Sequence, residues 1–423
     1  MRKRSKEIRI EYELTDLPIT ALGGLPVVIE AAQALGIDHL FNKFLRIKLR
    51  DNGYTEYELA MAVILTLLAG GESIEDADKI RLDEVVSGKR FPHSTTVGDF
   101  LRRFTAEEQF DALTRVEDEL NRQLLLQCDY SPLTLDADTT IIKAEGQKRE
   151  GTAKAYNGTQ GFQPLLIFAA EPGLLLAHDF RSANVHPGDG AVELLKHALS
   201  VIPALTSLHF RSDSACYNKT LVAFCEAHEM TFTIAADLTA PLLAAIDGLP
   251  VDAWHPLDEG KEVAQVYYQP SGWTRAYRYV VVREVKRQDM FGAVYKYRAV
   301  VTNFERGNPQ WILQRHRRHA NVENGIKELK SGFSLSSMPC LAYNANRAWF
   351  HLGVIAHNLF MVIKLLFLPA KWASHTIKTV RWRLINIGGV MVRHARRRVL
   401  KISRCHPWHK DFIRLRSRIL SYS

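Results

Sequence analysis

The chain is expected to fold as an α+β protein of several units: an all-α N-terminal part, an α/β part interrupted by a β-rich stretch, and C-terminal basic helices. Three observations point there. At 423 residues it is too long for one ordinary core. Its apolar spacing changes character at Ser131-Pro132. Its excess of Lys and Arg is gathered at one end.

Residues 1–130 read as a helical domain with a DNA-binding role open to it. Apolar residues recur at three and four near 26–48, 55–69, 73–87, 95–104 and 107–127. Gly23-Gly24, Asp51-Asn52-Gly53 and Gly70-Gly71 punctuate them, and His93-Ser94-Thr95-Thr96 offers caps for Val97–Phe104.

Beyond Ser131-Pro132, the runs Leu133–Ile142, Pro164–Ala170, Leu174–Ala183, Leu208–Ser212 and Thr231–Ala235 read as strands. Gly188–Val201 and Asn218–His228 read as helices between them. Residues 131–249 and 305–350 form the α/β part, and 250–304 the β-rich insertion, with strands at Val263–Tyr268, Ala276–Val285 and Tyr295–Thr302. One long helix is predicted from Pro309 to about Lys330, and residues 351–423 are expected as a basic helical region. The apolar run Leu352–Leu368 is broken by His357, Asn358 and Lys364, so a buried helix is expected rather than a membrane span.

The formal net charge is +9, but Pro369–Ser423 carries fourteen Lys/Arg against the single acid Asp411, leaving residues 1–368 at about −4. Such a block suits a polyanion, because each neutralised phosphate releases counterions. Trp372, Trp382 and Trp408 interleave with the charge, which favours nucleic acid over an acidic membrane surface. The five cysteines form no CxxC and match no zinc spacing, so reduced thiols in a cytosol are the expectation. No apolar run follows the charged N-terminus, which is therefore not read as a signal peptide.

Three acidic positions could carry chemistry. Asp136 and Asp138 lie two apart on a strand and so share a face. Asp213 follows the strand Leu208–Ser212, and Glu323 lies on the helix after the β-rich stretch. Each alone is an ordinary turn, cap or surface residue. Together they suit displacement at phosphorus, where two Mg²⁺ ions, hard cations that prefer oxygen donors, activate the attacking and leaving oxygens. On one continuous helix His316, His319, Glu323, Lys327 and Lys330 would share a face, with Val322, Ile326 and Leu329 as the packing stripe.

The segments LDADTT (135–140), KAYNGTQGFQPLL (154–166), FRSDSACYNK (210–219) and HRRHANVENGIKELKSGF (316–333) resemble, in order and spacing, the catalytic blocks of DDE transposases of bacterial insertion sequences. GGLPVVIEA and HSTTVGDFLRRF are similar to that family's amino-terminal region, so the likeness runs over about 20–400. The resemblance implies a ribonuclease-H-like catalytic domain with a β insertion before the glutamate. It implies metal-dependent cleavage at the element's ends and strand transfer into target DNA. Asp138, Asp213 and Glu323 would be the triad holding Mg²⁺, for which Mn²⁺ can substitute, with Asp136 the rival for the first place. The family's tyrosine, arginine, glutamate and lysine signature reads His316, His319, Glu323 and Lys330 here.

Phosphate contacts are then expected from His316, His319, Lys327, Lys330 and Arg318, with Arg315 and Arg317 in support, and from Arg396, Arg397 and Arg398 in the tail. Some relatives stack an aromatic of the insertion on a flipped base. Trp273 and Trp254 are nominated for that, against the plainer reading of core tryptophans. Expected partners are double-stranded DNA with terminal inverted repeats, target DNA and a second copy of the chain on DNA, with no membrane. The expected location is the bacterial cytoplasm at the nucleoid. Two other classes stay open: a decayed or domesticated relative that only occupies DNA, and a nuclease of the same fold.

Overall fold

The computed structural model describes residues 10–422 apart from 49–51, 89, 129, 145, 147, 205, 290, 291, 319 and 396. The N-terminal part is helical, as its spacing predicts. Helix Glu56–Ala69 starts on a reciprocal cap: the Thr55 hydroxyl accepts from the Glu58 N–H, and the Glu58 carboxylate accepts from the Thr55 N–H. It stops at Gly70, whose φ of 96° suits a residue without Cβ. Leu59 to Leu68 are all buried, so this helix is core on every side.

Two expected helices are broken. The 26–48 segment forms Leu25–Ala34 and Ile37–Phe44, parted at Gly36 in the left-handed region. The 73–87 segment forms three short pieces, the last restarted by Asp83, whose carboxylate accepts from the Val85 and Val86 N–H groups. Helix α1 spans Glu107–Gln127.

The main sheet is built from β1 (Leu133–Thr139), β2 (Leu165–Ala169), β3 (Leu174–Asp179), β4 (Leu208–Ser212) and β5 (Thr231–Ala235). β1 to β3 are antiparallel neighbours, while β4 lies parallel to β1 and β5 parallel to β4. Parallel neighbours need crossovers. Helix α2 (Ala191–Val201) lies between β3 and β4 in the chain, and α3 (Lys219–Ala227) between β4 and β5.

The 250–304 stretch supplies β6 (His255–Asp258), β7 (Lys261–Tyr268), β8 (Tyr277–Asp289) and β9 (Gly292–Thr302). Its last strand pairs antiparallel with β5, Val301 opposite Ile234. The insertion therefore extends one mixed nine-stranded sheet, in the order β6-β7-β8-β9-β5-β4-β1-β2-β3.

Two further expectations are corrected. The helix predicted from Pro309 to about Lys330 is two helices, α4 (Pro309–Arg317) and α5 (Ala320–Lys327), followed by a π-turn over Glu328–Gly332. The basic tail is not wholly helical. β10 (Gly389–His394) and β11 (Arg397–Ile402) form a hairpin that pairs with Ile19–Thr20, and only then does helix His409–Tyr422 follow. Val390, Val392 and Val399 carry the strand preference that the arginine run obscures.

Helix α6 (Tyr343–Val362), with the π-turn Ile363–Phe367, is long and apolar enough to cross a membrane, but 89% of its apolar window is buried inside the protein. It packs on α1 and on Glu56–Ala69 in an apolar core that runs from Leu25 to Ile419; a smaller cluster of Val263, Val280, Val282, Val300, Ile312 and Leu313 joins the insertion to α4.

A polar rivet crosses that core. Glu117 of α1 places one carboxylate oxygen 2.9 Å from His351 Nδ1 of α6 and the other 3.1 Å from His178 Nε2 of β3. Burial alone would raise the Glu117 carboxyl, but the two histidines outweigh it and hold it at about 2. Burial, the largest influence on His351, pushes that imidazole down. Both groups thus have folded values below their unfolded ones. The stability they contribute is present at neutral pH and lost on acidification, first below the ordinary imidazole value of 6.5 and then from 4.5 towards 2. The melting temperature is expected to fall steadily between about pH 7 and about pH 3. Glu117→Gln should flatten that slope, and an unaltered slope would remove the rivet from the account.

Candidate active site

The site grows from the pleat of β1. Leu135 and Ala137 face the core on one side, while Asp136 and Asp138 point to the other. The parallel pairing with β4 sets Asp136 opposite Arg211 and Ala137 opposite Ser212. Asp138 and Asp213 are the next residues, so the register brings both to the carboxyl ends of adjacent strands. Burial, then Asp213, then Asp138 push the buried Cys216 thiol up to about 12, so both carboxylates act on it.

The same register separates the two aspartates of β1. Arg211 donates from Nε and Nη2 to both oxygens of Asp136, each at 2.6 Å. The Asp136 and Arg211 side chains are 0% and 3% exposed. Asp136 is a buried ion-pair partner with both oxygens engaged, which disfavours it as the rival metal ligand. Asp138 is half-buried at the rim, its Oδ1 accepting from the Thr139 N–H at 2.7 Å. Asp213 is exposed and caps the short turn Ser214–Cys216 through the Ala215 N–H.

Glu323 lies exposed in the first turn of α5. Val322 and Ile326 of that helix and Leu329 of the following turn are buried, the stripe its spacing predicts. A Cβ on Gly325 would stand 3.0 Å from the Phe168 ring, so any larger residue would make that ring give way. Phe168 pairs across β1–β2 with Asp136 and Leu166 with Asp138, hence α5 covers the sheet face that carries Asp138. Lys330 ties the end of this segment to the chain beyond Asp138, donating to Thr140 Oγ1 at 3.2 Å and to the Ile141 carbonyl at 2.9 Å. Burial pushes its ammonium down.

His316 belongs to α4, and its Nδ1 lies 3.2 Å from the Thr233 carbonyl of β5. His316 thus lies on a different helix from Glu323. In the last turn of α4, Arg211 Nη1 donates to the Arg315 carbonyl at 2.7 Å. His319 and Arg396 lie outside the described residues. Arg318 and Lys327 are exposed, and Arg317 faces Asp258 at 3.4 Å. Arg315 is engaged over the rings of Phe304 and Trp311 instead of facing solvent. Arg397 and Arg398 are exposed on β11, not on a helix.

A cavity of about 520 Å³ opens beside Asp213; Lys261, Lys296, Arg298 and Arg317 line it together with the acids Asp237 and Glu284. Trp254 is 7% exposed, with the Arg283 guanidinium 4.1 Å above its ring, so its face is not open to a base. Trp273 is half-buried, packed against Tyr217 and Tyr277.

By donor type the three carboxylates fit a hard divalent cation. Among the described residues, however, the trio is not gathered within 4.8 Å; the group that is, Glu117, His178 and His351, was not foreseen from the sequence. That group is buried, its two oxygens already face the imidazoles, and its nitrogens suit zinc better than Mg²⁺.

Asp138 and Asp213 thus stand at the ends of neighbouring strands of a mixed sheet, and Glu323 lies on a helix over the same face. The chain belongs to the DDE transposases: residues 3–423 match the family described as Transposase DDE domain group 1. No curated protein sequence matches it. Among solved structures, one similar chain is the piggyBac transposase in a cryo-EM synaptic complex with hairpin DNA. The two share 9% identity over 80% of this chain and 72% of that one, with a TM-score of 0.49.

Proposed function

We propose that the protein is the cut-and-paste transposase of a bacterial insertion sequence, nicking DNA at the element's ends and joining the freed 3′-hydroxyl to target DNA. The observation that carries this is the β1–β4 register, which aligns Asp138 with Asp213, in a chain whose whole length matches a transposase family. Asp138, Asp213 and Glu323 would hold two Mg²⁺ or Mn²⁺ ions, which when bound activate the attacking oxygen and stabilise the leaving one.

The chain's own cations do the rest. Lys330 fixes the segment after Asp138 and presents an ammonium near it. His316, His319, Lys327 and Arg318 bind phosphate around the acidic trio. Histidine holds that charge only at lower pH, unlike arginine. Trp273 is the aromatic retained for a base at the cleaved end. Element ends with inverted repeats, a homodimer that pairs them, and a place on the bacterial nucleoid complete the reading.

Arg396, Arg397 and Arg398 would grip DNA backbone, which positions the protein without specifying sequence. Arg397→Ala/Arg398→Ala is expected to weaken binding to all duplexes alike. It should also reduce the slope of log affinity against log salt by about 2. An unchanged slope in a fluorescence-anisotropy titration would remove the hairpin from the DNA surface.

A second reading, a relative that occupies element ends without cutting them, draws on the fact that, among the described residues, the trio is not gathered within 4.8 Å. Labelled DNA carrying the element's ends, incubated with Mg²⁺, separates the two. End-specific nicking supports the transposase, and binding without nicking supports the occupant.

A further inference from the structure

Between α5 and the end of β2 lies a cavity of about 430 Å³, lined in part by Phe168 and Ala169. Val322 and Gly325 of α5 form one wall, and Lys364 and His375 reach it from the segments that follow. Lys364 is only 5% exposed. Its ammonium has three protons to give. One goes to the His375 carbonyl at 3.2 Å, and the Phe360 ring lies 5.0 Å away. Glu328 is the carboxylate that acts on it, but an oxygen of Glu328 already accepts from the Ile377 N–H at 2.6 Å.

His375 adds a second unspent donor. Its Nε2 lies 2.9 Å from Arg383 Nη1, and a guanidinium can only donate, so Nε2 must accept. The proton of the neutral ring then sits on Nδ1, and that atom is buried without a hydrogen-bond partner. Buried donors left unmatched are costly, and a buried cation more so. Lys327 and Lys378, both exposed, line the same cavity, so three lysines face one glutamate. A ligand that matches Lys364 and His375 turns acceptors and negative charge towards them.

We propose that this cavity is a phosphate site, in which a phosphoryl oxyanion seats between Lys364 Nζ and His375 Nδ1 with Lys327 and Lys378 at its mouth. The oxyanion takes the unmatched His375 Nδ1 proton and a further proton of Lys364, and charge-assisted bonds of this kind are roughly twice as strong as neutral ones. Burial pushes the Lys364 ammonium down, and an anion beside it reverses that pressure. Because α5 forms the wall, a filled site would brace the helix that carries Glu323. Two sources share the chemistry: a backbone phosphate of bound DNA, and free phosphate or a nucleotide. The site stands whether or not the protein cuts DNA.

The test is thermal melting of the full-length protein with inorganic phosphate against chloride at matched ionic strength. Phosphate is expected to raise the melting temperature of the wild type in a saturable way. Lys364→Met, which keeps the side chain's bulk without its charge, should weaken the apparent phosphate affinity by at least about tenfold. Lys378→Ala, at an exposed position, should weaken it by roughly threefold and serves if Lys364→Met does not fold. No phosphate effect in the wild type overturns the proposal. So does equal protection of wild type and variants, which would mean an adventitious ion only. A duplex oligonucleotide that abolishes the phosphate effect assigns the site to DNA backbone. One that leaves it intact assigns it to the free anion, and either result keeps the site.

Discussion

Replacing Asp213 with asparagine is expected to abolish metal-dependent nicking of element ends, by at least about 10³-fold, with DNA binding and melting temperature kept. The magnitude follows from the several kcal/mol of transition-state stabilisation that metal ions supply, at one decade for every 1.36 kcal/mol. Asparagine keeps the size and the oxygen that accepts from the Ala215 N–H, so the turn Ser214–Cys216 stays capped. Asp213 is exposed and takes no part in the core, which is why stability should not move. Removing a negative charge should if anything tighten the hold on DNA, a polyanion. Asp138→Asn should match it in activity. Nicking that survives Asp213→Asn would mean that the acidic site lies elsewhere. A variant that loses nicking and melts much lower would make Asp213 structural.

The parts of this site legible in the sequence are those set by local geometry. Asp213 follows a short apolar strand directly, and the strand ends where its alternation ends. The stripe of Val322, Ile326 and Leu329 is a helical period, and it buries as that period requires. What the sequence could not resolve depends on partners far along the chain. Period two puts Asp136 and Asp138 on the same face and cannot choose between them. The choice rests on Arg211, 75 residues away, which the strand register sets against Asp136.

The same arginine bears on the second misreading. Nothing in the sequence between Pro309 and Lys330 breaks a helix except Gly325, which lies inside α5. α4 ends at Arg317, and in its last turn Arg211 takes the Arg315 carbonyl, a tertiary contact that a sequence period does not encode. The tail hairpin was obscured differently: its arginines read as a charged helix face, while Gly389 and the valines alternating on β10 and β11 carried the strand signal. The Glu117 rivet joins three elements separated by 61 and 234 residues, beyond any local pattern.

Asp136→Ala should then be the most destabilising single change near the site, costing about 3–5 kcal/mol, because it strands the Arg211 guanidinium in the core. The pair itself need not be strongly stabilising, since desolvation offsets much of its attraction; the cost comes from leaving one partner alone. Asp136→Leu/Arg211→Met should therefore recover most of the loss in a denaturant titration, as an apolar pair of similar volume. The two variants also separate position from chemistry. If Asp136 only holds Arg211, and Arg211 holds the end of α4 through the Arg315 carbonyl, the double variant should regain stability faster than nicking. Its α4–α5 junction would be unanchored while the trio of Asp138, Asp213 and Glu323 is intact. Asp136→Ala that keeps its stability yet loses all nicking would reverse the assignment. It would move the acidic site inward along the same face of the sheet, with Asp136 in place of Asp138.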